Sequence, residues 1–146
     1  YANYSCIFTL GNGVDYPLSL ECSLKLKELT YIFAQGYPVG ELKHGPFSLI
    51  NEKTLVFIIA TTVNKSKFNT YMSTYEEIKT RNGTPVMICY ERMISNDNIN
   101  CITIPETYNK DISTIILFQI ISMQIAKKKN NIIDTPKNLS KSITVT

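Results

Sequence analysis

Glu21, Lys25 and Glu28 lie at i, i+4 and i+7 in this 146-residue chain, a spacing that puts all three on one face of a helix. A carboxylate held beside an ammonium can take a proton from one atom and return it to another. The simpler reading is a surface ion-pair ladder worth roughly a few tenths of a kcal/mol per pair. Position favours the chemical reading. The segment follows a short apolar run, 5–10, and a Gly11-Asn12-Gly13 turn, and sites of open α/β sheets lie at the carboxyl ends of strands. His44 is the single histidine, set in Gly40-Glu41-Leu42-Lys43-His44-Gly45-Pro46. A lone histidine is more often structural or merely exposed, but an imidazole in a polar, glycine-flanked loop can reach a ligand and do acid–base work near neutrality. Lys141 stands in the polar terminal stretch. Spacing alone makes it a solvated lysine of a frayed end; a catalytic role requires an amine that is neutral part of the time, as partial burial arranges.

Composition narrows the classes. Fifteen basic and 12 acidic residues leave a net charge of +3, and the one basic run is Lys127-Lys128-Lys129. Lysines at the end of an apolar stretch complement a helix dipole, and no aromatic residues interleave with them, so no nucleic acid is expected. Cys6, Cys22, Cys89 and Cys101 form no CxxC pair, and one histidine cannot complete a usual zinc set. No metal is expected, and the thiols read as buried and reduced, which suits a cytoplasmic protein. The longest apolar stretch, 112–126, contains Gln119 and Gln124 and falls short of the roughly 20 residues a bilayer requires. No membrane association or signal peptide is expected. Neither a Walker sequence nor GxGxxG occurs, and no cofactor is expected.

The elements that must position these residues follow from pattern. Apolar runs at 5–10, 54–60, 85–90 and 100–104 read as buried strands. Helical period covers 16–35, where Leu20, Leu24, Leu29 and Ile32 share one side before Gly36 and Pro38 end it. Further helices are read over 65–81, stopped by Asn82-Gly83, and over 111–129. Residues 40–46 read as a loop or short helix, and 130–146 as a tail. Alternating helices and non-amphipathic strands predict an α/β fold: a three-layer αβα sandwich on a mainly parallel sheet of about five strands. The length fits one domain.

The stretches Leu10-Gly11-Asn12-Gly13-Val14-Asp15-Tyr16-Pro17, Leu20-Glu21, Leu24-Lys25-Leu26-Lys27-Glu28 and the loop 40–46 resemble the second sugar-isomerase (SIS) domain of the glutamine–fructose-6-phosphate aminotransferases. The tail Pro136-Lys137-Asn138-Leu139-Ser140-Lys141-Ser142-Ile143-Thr144-Val145 resembles the C-terminus of the same family. The pieces occur in family order, and the loop combined with the tail is highly specific. The resemblance implies that residues 1–146 are one SIS domain, the second of two in a longer parent, with 130–146 as its catalytic tail. It implies conversion of fructose 6-phosphate and glutamine-derived ammonia to glucosamine 6-phosphate, in hexosamine biosynthesis. It assigns the Schiff-base amine to Lys141, proton transfer between C1 and C2 to Glu28, and ring opening from the neighbouring subunit of a homodimer to His44. Lys25 supports Glu28, and Glu21 lies beside them. The family's Ser/Thr-rich phosphate loop belongs to the first SIS domain and its catalytic cysteine to the glutaminase domain. Both domains are implied partners, and the chain alone is expected to be inactive. A sugar-phosphate-binding module without chemistry, a stand-alone aldose–ketose isomerase, and a deglycase or deaminase relative are the competing readings.

Overall fold

The computed structural model describes residues 1–61, 65–93, 98–107 and 109–139. Five parallel strands form one sheet: β1 (Cys6–Gly11), β2 (Phe33–Pro38), β3 (Thr54–Ile59), β4 (Thr84–Tyr90) and β5 (Cys101–Ile104), in the order β2-β1-β3-β4-β5. Helices α1 (Asp15–Thr30) and α3 (Lys110–Lys128) cover one face. Helix α2 (Lys65–Lys79) and the 3-10 turn Val39–His44 cover the other, with a second turn, Pro46–Leu49, beside them. The expected three-layer α/β sandwich is therefore present, and every strand pair is parallel.

Strand alternation divides the core. Ile7, Leu55, Phe57, Ile59, Val86 and Ile88 meet Leu18, Cys22 and Leu26 of α1 and Phe118, Ile121 and Ile125 of α3. Phe8, Leu10, Val56, Ile58, Met87 and Cys89 meet Val39, Leu42 and the α2 residues Tyr71, Tyr75 and Ile78. Every residue of β3 is buried, as a central strand covered on both faces requires. Cys22 and Cys89 are buried as expected; Cys6 and Cys101 are only half-buried, and all four are free thiols.

One element differs from the sequence reading. The helix read over 16–35 ends at Thr30, and Phe33–Pro38 is the edge strand β2. Tyr31 takes a left-handed conformation, φ 55°, and its N–H reaches Lys27 O at 3.2 Å. Thr30 Oγ1 donates to Leu26 O at 2.7 Å and accepts the Ile32 N–H at 3.1 Å, which closes the helix. The side shared by the leucines is not the buried one. Leu20 and Leu24 are 39% and 40% exposed, whereas Leu18, Ser19, Cys22, Ser23, Leu26 and Thr30 are buried. Small residues let α1 sit close to the sheet. Thr9 Oγ1 donates to Ser19 O at 2.8 Å, and a methyl on Gly36 of β2 would come within 3.1 Å of Leu20 Cα.

Chain order reverses at β1, flanked by β2 and β3; in open α/β sheets the crevice at such a switch point is the usual ligand site. Here Asp15 occupies it. Its side chain is fully buried. Oδ1 accepts from Thr61 Oγ1 at 2.6 Å and Lys110 Nζ at 3.0 Å, and Oδ2 accepts from the Tyr71 hydroxyl at 3.2 Å. Thr61 follows β3, Tyr71 is on α2 and Lys110 opens α3, so one carboxylate ties both helical layers to the sheet. A lysine at a helix N-terminus opposes the dipole. Asp15, together with Asp111 at 3.2 Å, compensates it. Burial lowers the Lys110 pKa, but the hydrogen bond and charge of Asp15, then those of Asp111, outweigh it and the net shift is upward.

Two outcomes are expected in urea unfolding. A methyl at Gly11 would collide with the backbone carbonyl of Asp15, whereas nothing lies near Gly40. Gly11→Ala should cost about 3 kcal/mol, and Gly40→Ala about 0.5 kcal/mol or less; equal effects would refute the close seating of α1 on β1. Asp15→Asn leaves Lys110 without its buried partner and should cost about 3 kcal/mol or more, with a smaller loss when Lys110→Met accompanies it. Because the Lys110 pKa is raised in the folded state, the pair's contribution is complete below the ordinary lysine value of 10.5 and is lost as pH rises beyond it.

Candidate active site

Helix α1 leaves the carboxyl end of β1 through Asn12 and Gly13 and carries the predicted ladder outward. Lys25 Nζ donates to Glu28 Oε2 at 2.8 Å and lies 3.5 Å from Glu21 Oε1. The three side chains are 41%, 26% and 28% exposed in sequence order. The shared face is thus real, and Lys25 stands between the carboxylates. Half-exposed Pro17, Leu20 and Leu24 follow the next stripe of the helix, and both leucines keep about two-fifths of their surface in water. The Glu28 hydrogen bond raises the Lys25 pKa; partial burial opposes this, and the charges of Glu28 and Glu21 reinforce it. Lys25 is therefore a firmly protonated donor. It can hold Glu28 in one rotamer and balance its charge, but it is poorly suited to attack a carbonyl.

His44 lies elsewhere. It ends the 3-10 turn Val39–His44 that follows β2, and the buried Val39 and Leu42 of that turn pack with α2 in the core on the opposite face from α1. Lys43 Nζ bonds Glu77 Oε1 at 2.8 Å, and the Arg81 guanidinium sits 4.2 Å from the Phe47 ring centre. Gly45, at φ 135°, turns the chain after the imidazole. The loop is held firmly while His44 itself is exposed and makes no side-chain hydrogen bond or ion pair among the described residues. The fold does not bring His44 to the α1 ladder within one chain.

Lys141 lies outside the described residues. The tail up to Leu139 is described, and it returns to α1. Asn130 turns the chain at φ 58°. Asn131 Nδ2 donates to Leu29 O at 2.9 Å, a carbonyl of the last α1 turn. The Lys137 backbone N–H donates to the Tyr31 hydroxyl at 2.8 Å, and Lys137 Nζ lies 4.4 Å from the same ring centre. The tail is thus tied to the end of the helix that carries Glu28.

Sequence reasoning overlooked Asp15 and Tyr31. Asp15 was legible as an acid immediately after the strand and turn, but an acid in a first helical turn also reads as dipole compensation. Tyr31 lay inside a stretch read as continuous helix, so no special role was visible. The large groove of about 440 Å³ between the N-terminus and α3, lined by Tyr1, Ala2, Asn3, Ile120, Gln124 and Lys128 among others, contains none of the predicted site residues. The Glu21–Lys25–Glu28 ladder lies on an open helix face, away from that mainly apolar groove. Among the described residues no cluster of metal ligands occurs, and no helix is long and apolar enough to cross a membrane.

Comparison with known proteins places this geometry. Residues 2–132 match the model of the SIS domain. A glutamine–fructose-6-phosphate aminotransferase of Caldanaerobacter subterraneus subsp. tengcongensis is 35% identical over 98% of this chain and 24% of its own length. One from Sphingobium yanoikuyae is 37% identical over 95% of this chain and 91% of the relative. The C-terminal domain of glucosamine-fructose-6-phosphate aminotransferase from Francisella tularensis superposes with a TM-score of 0.77 at 27% identity, over 92% of this chain and 38% of that one. The chain spans about a quarter of the length of the first curated relatives it matches. On this fold, this motif order and these identities, the chain belongs to the SIS-domain family and, within it, to the glutamine–fructose-6-phosphate aminotransferases.

Proposed function

We propose that this chain is the second SIS domain of a glutamine–fructose-6-phosphate aminotransferase and supplies part of the site that makes glucosamine 6-phosphate. The observation that carries the reading is the 2.8 Å Lys25–Glu28 contact on the helix leaving β1, with the tail bound at the end of that helix. In this reading the Lys141 amine adds to the C2 carbonyl of open-chain fructose 6-phosphate, and loss of water gives the imine. Ammonia then replaces the lysine. Glu28 takes a proton from C1 and returns it to C2, while the O1 proton passes to the imine nitrogen, leaving an amine on C2 and a carbonyl at C1. One carboxylate serves as both base and acid because the proton moves between adjacent carbons. Lys25 orients Glu28, and Glu21 shares its charge. Residues 130–146 form the catalytic tail, which would exclude water from the imine.

His44 acts on the neighbouring subunit of a homodimer in this reading. Its place in the layer opposite α1, held by Lys43–Glu77 and exposed at its tip, suits a group offered to another chain. The parent's first SIS domain supplies the phosphate grip, and its glutaminase domain supplies the ammonia. The cytoplasmic setting fits reduced thiols at all four cysteines. Alone, the chain does not turn over.

In the full-length enzyme, Glu28→Gln should lower glucosamine 6-phosphate formation at least about a hundredfold while glutamine hydrolysis persists; equal loss of both activities would make Glu28 structural. Borohydride reduction with fructose 6-phosphate, followed by peptide mapping, should place the adduct on Lys141. An adduct on Lys25, Lys27 or Lys43 would overturn the assignment, as would full synthetic activity in Lys141→Arg.

A further inference from the structure

Tyr31 is the one aromatic residue with positive φ among the described residues. The position just after a helix favours glycine or asparagine, because a side chain in the left-handed region meets its own backbone. A bulky residue held in this conformation points to a task beyond ending the helix. The Tyr31 backbone N–H already closes α1 onto Lys27 O, and asparagine would do the same with less strain. What asparagine would lack is the phenol. That hydroxyl accepts the Lys137 N–H at 2.8 Å, and the ring carries the Lys137 ammonium 4.4 Å from its centre.

The surrounding contacts aim the tail at this phenol. Asn130 and Asn138, at φ 58° and 62°, turn the chain on either side of the contact. Asn131 ties the first turn to Leu29 O at 2.9 Å. The tail meets α1 through polar bonds, and Leu139 remains 53% exposed. Apolar burial therefore does not fix where the tail runs; the polar bonds to Leu29 and Tyr31 do.

We propose that Tyr31 is a positioning residue for the reaction: its phenol seats the C-terminal tail against α1, one helical turn from Glu28, and so sets the start of the segment that carries Lys141. The inference rests on the functional reading above. Its geometry is bounded. Tyr31 follows Glu28 by three residues, about 4.5 Å along a helix, and the four residues from Lys137 to Lys141 span at most about 14 Å. Tyr31 touches no reacting atom; it fixes the point from which a lysine must reach the substrate held over Glu28.

Two measurements test this. In hydrogen exchange on the 146-residue chain, Tyr31→Phe removes only the hydroxyl, so the Lys137 amide should exchange about fivefold faster, the loss expected for one hydrogen bond. Unchanged exchange overturns the anchor. In the full-length enzyme, Tyr31→Asn relieves the left-handed strain, so the thermal midpoint should hold or rise. Synthesis should nevertheless fall about tenfold or more in kcat, the scale of a small misplacement of a reacting group, while glutamine hydrolysis continues. Lys137→Ala added to Tyr31→Asn should lower kcat no further. Wild-type kcat in Tyr31→Asn overturns the proposal, as does a loss matched by a lowered midpoint or independent, additive losses in the double variant. Glu28→Gln separates the two levels. If it leaves synthesis intact, the site reading fails; if it abolishes synthesis while Tyr31→Asn is fully active, only the role of Tyr31 fails.

Discussion

A carboxylate taken wholly out of water is tolerated only when donors surround it, and the rest of this fold is arranged around that requirement at Asp15. Its donors come from three elements: Thr61 beyond β3, Tyr71 on α2 and Lys110 at the start of α3. None can move without uncovering a charge. The absence of a side chain at Gly11 lets the first turn of α1 rest on the end of β1, and that contact brings Asp15 to the sheet's reversal point. The seating of α1 on β1 and the start of α3 are therefore coupled.

This coupling fills the crevice that such folds usually leave for a ligand. In an open α/β sheet the switch-point crevice is where a ligand is expected, yet here protein charges meet one another there. The groups suited to proton transfer lie farther along α1, on its outer side. At 26–41% exposure, the Glu21–Lys25–Glu28 ladder contributes little to stability, since solvent screens such pairs. The rigid base of α1 supports an outer face whose charges have little structural reason to be so arranged. Exposed Leu20 and Leu24 alongside them are also costly in water unless another surface covers them.

The fold was legible wherever burial was complete. Thr54–Ile59 and Thr84–Tyr90 are uninterrupted apolar strands because both faces are covered. Edge strand β2 was not legible: Gln35 and Gly36 break its apolar run, and Leu29 and Ile32 extend the helical period into it. The buried face of α1 was hard to read for a related reason. Leucines signalled burial, but the close approach of helix to sheet selected Ser19, Cys22 and Ser23, with both serine hydroxyls bonded to carbonyls one turn back. The ladder could be read from spacing because i, i+4 and i+7 determine a face whatever the tertiary structure. The Asp15 network could not, since its partners are separated by 46 to 95 residues.

The lysines sort themselves by their electrostatic neighbours. An imine-forming lysine must lose its proton, and nearby carboxylates oppose that while nearby cations favour it. Lys25 stands between Glu21 and Glu28, Lys43 is bonded to Glu77, and Lys110 is bonded to Asp15 and close to Asp111. Lys25 and Lys110 are stabilised as ammonium groups by these carboxylates. In the tail, no acidic side chain stands between Lys137 and Lys141. Lys137 places its charge over the Tyr31 ring, where it needs no carboxylate partner. Lys141, four residues on, has no acidic side chain among its near sequence neighbours, a condition it shares with Lys65, Lys67 and the run Lys127-Lys128-Lys129. On that argument Lys25, bonded to Glu28 at 2.8 Å, is placed to hold that carboxylate as an ion-pair partner and is poorly placed to form an imine.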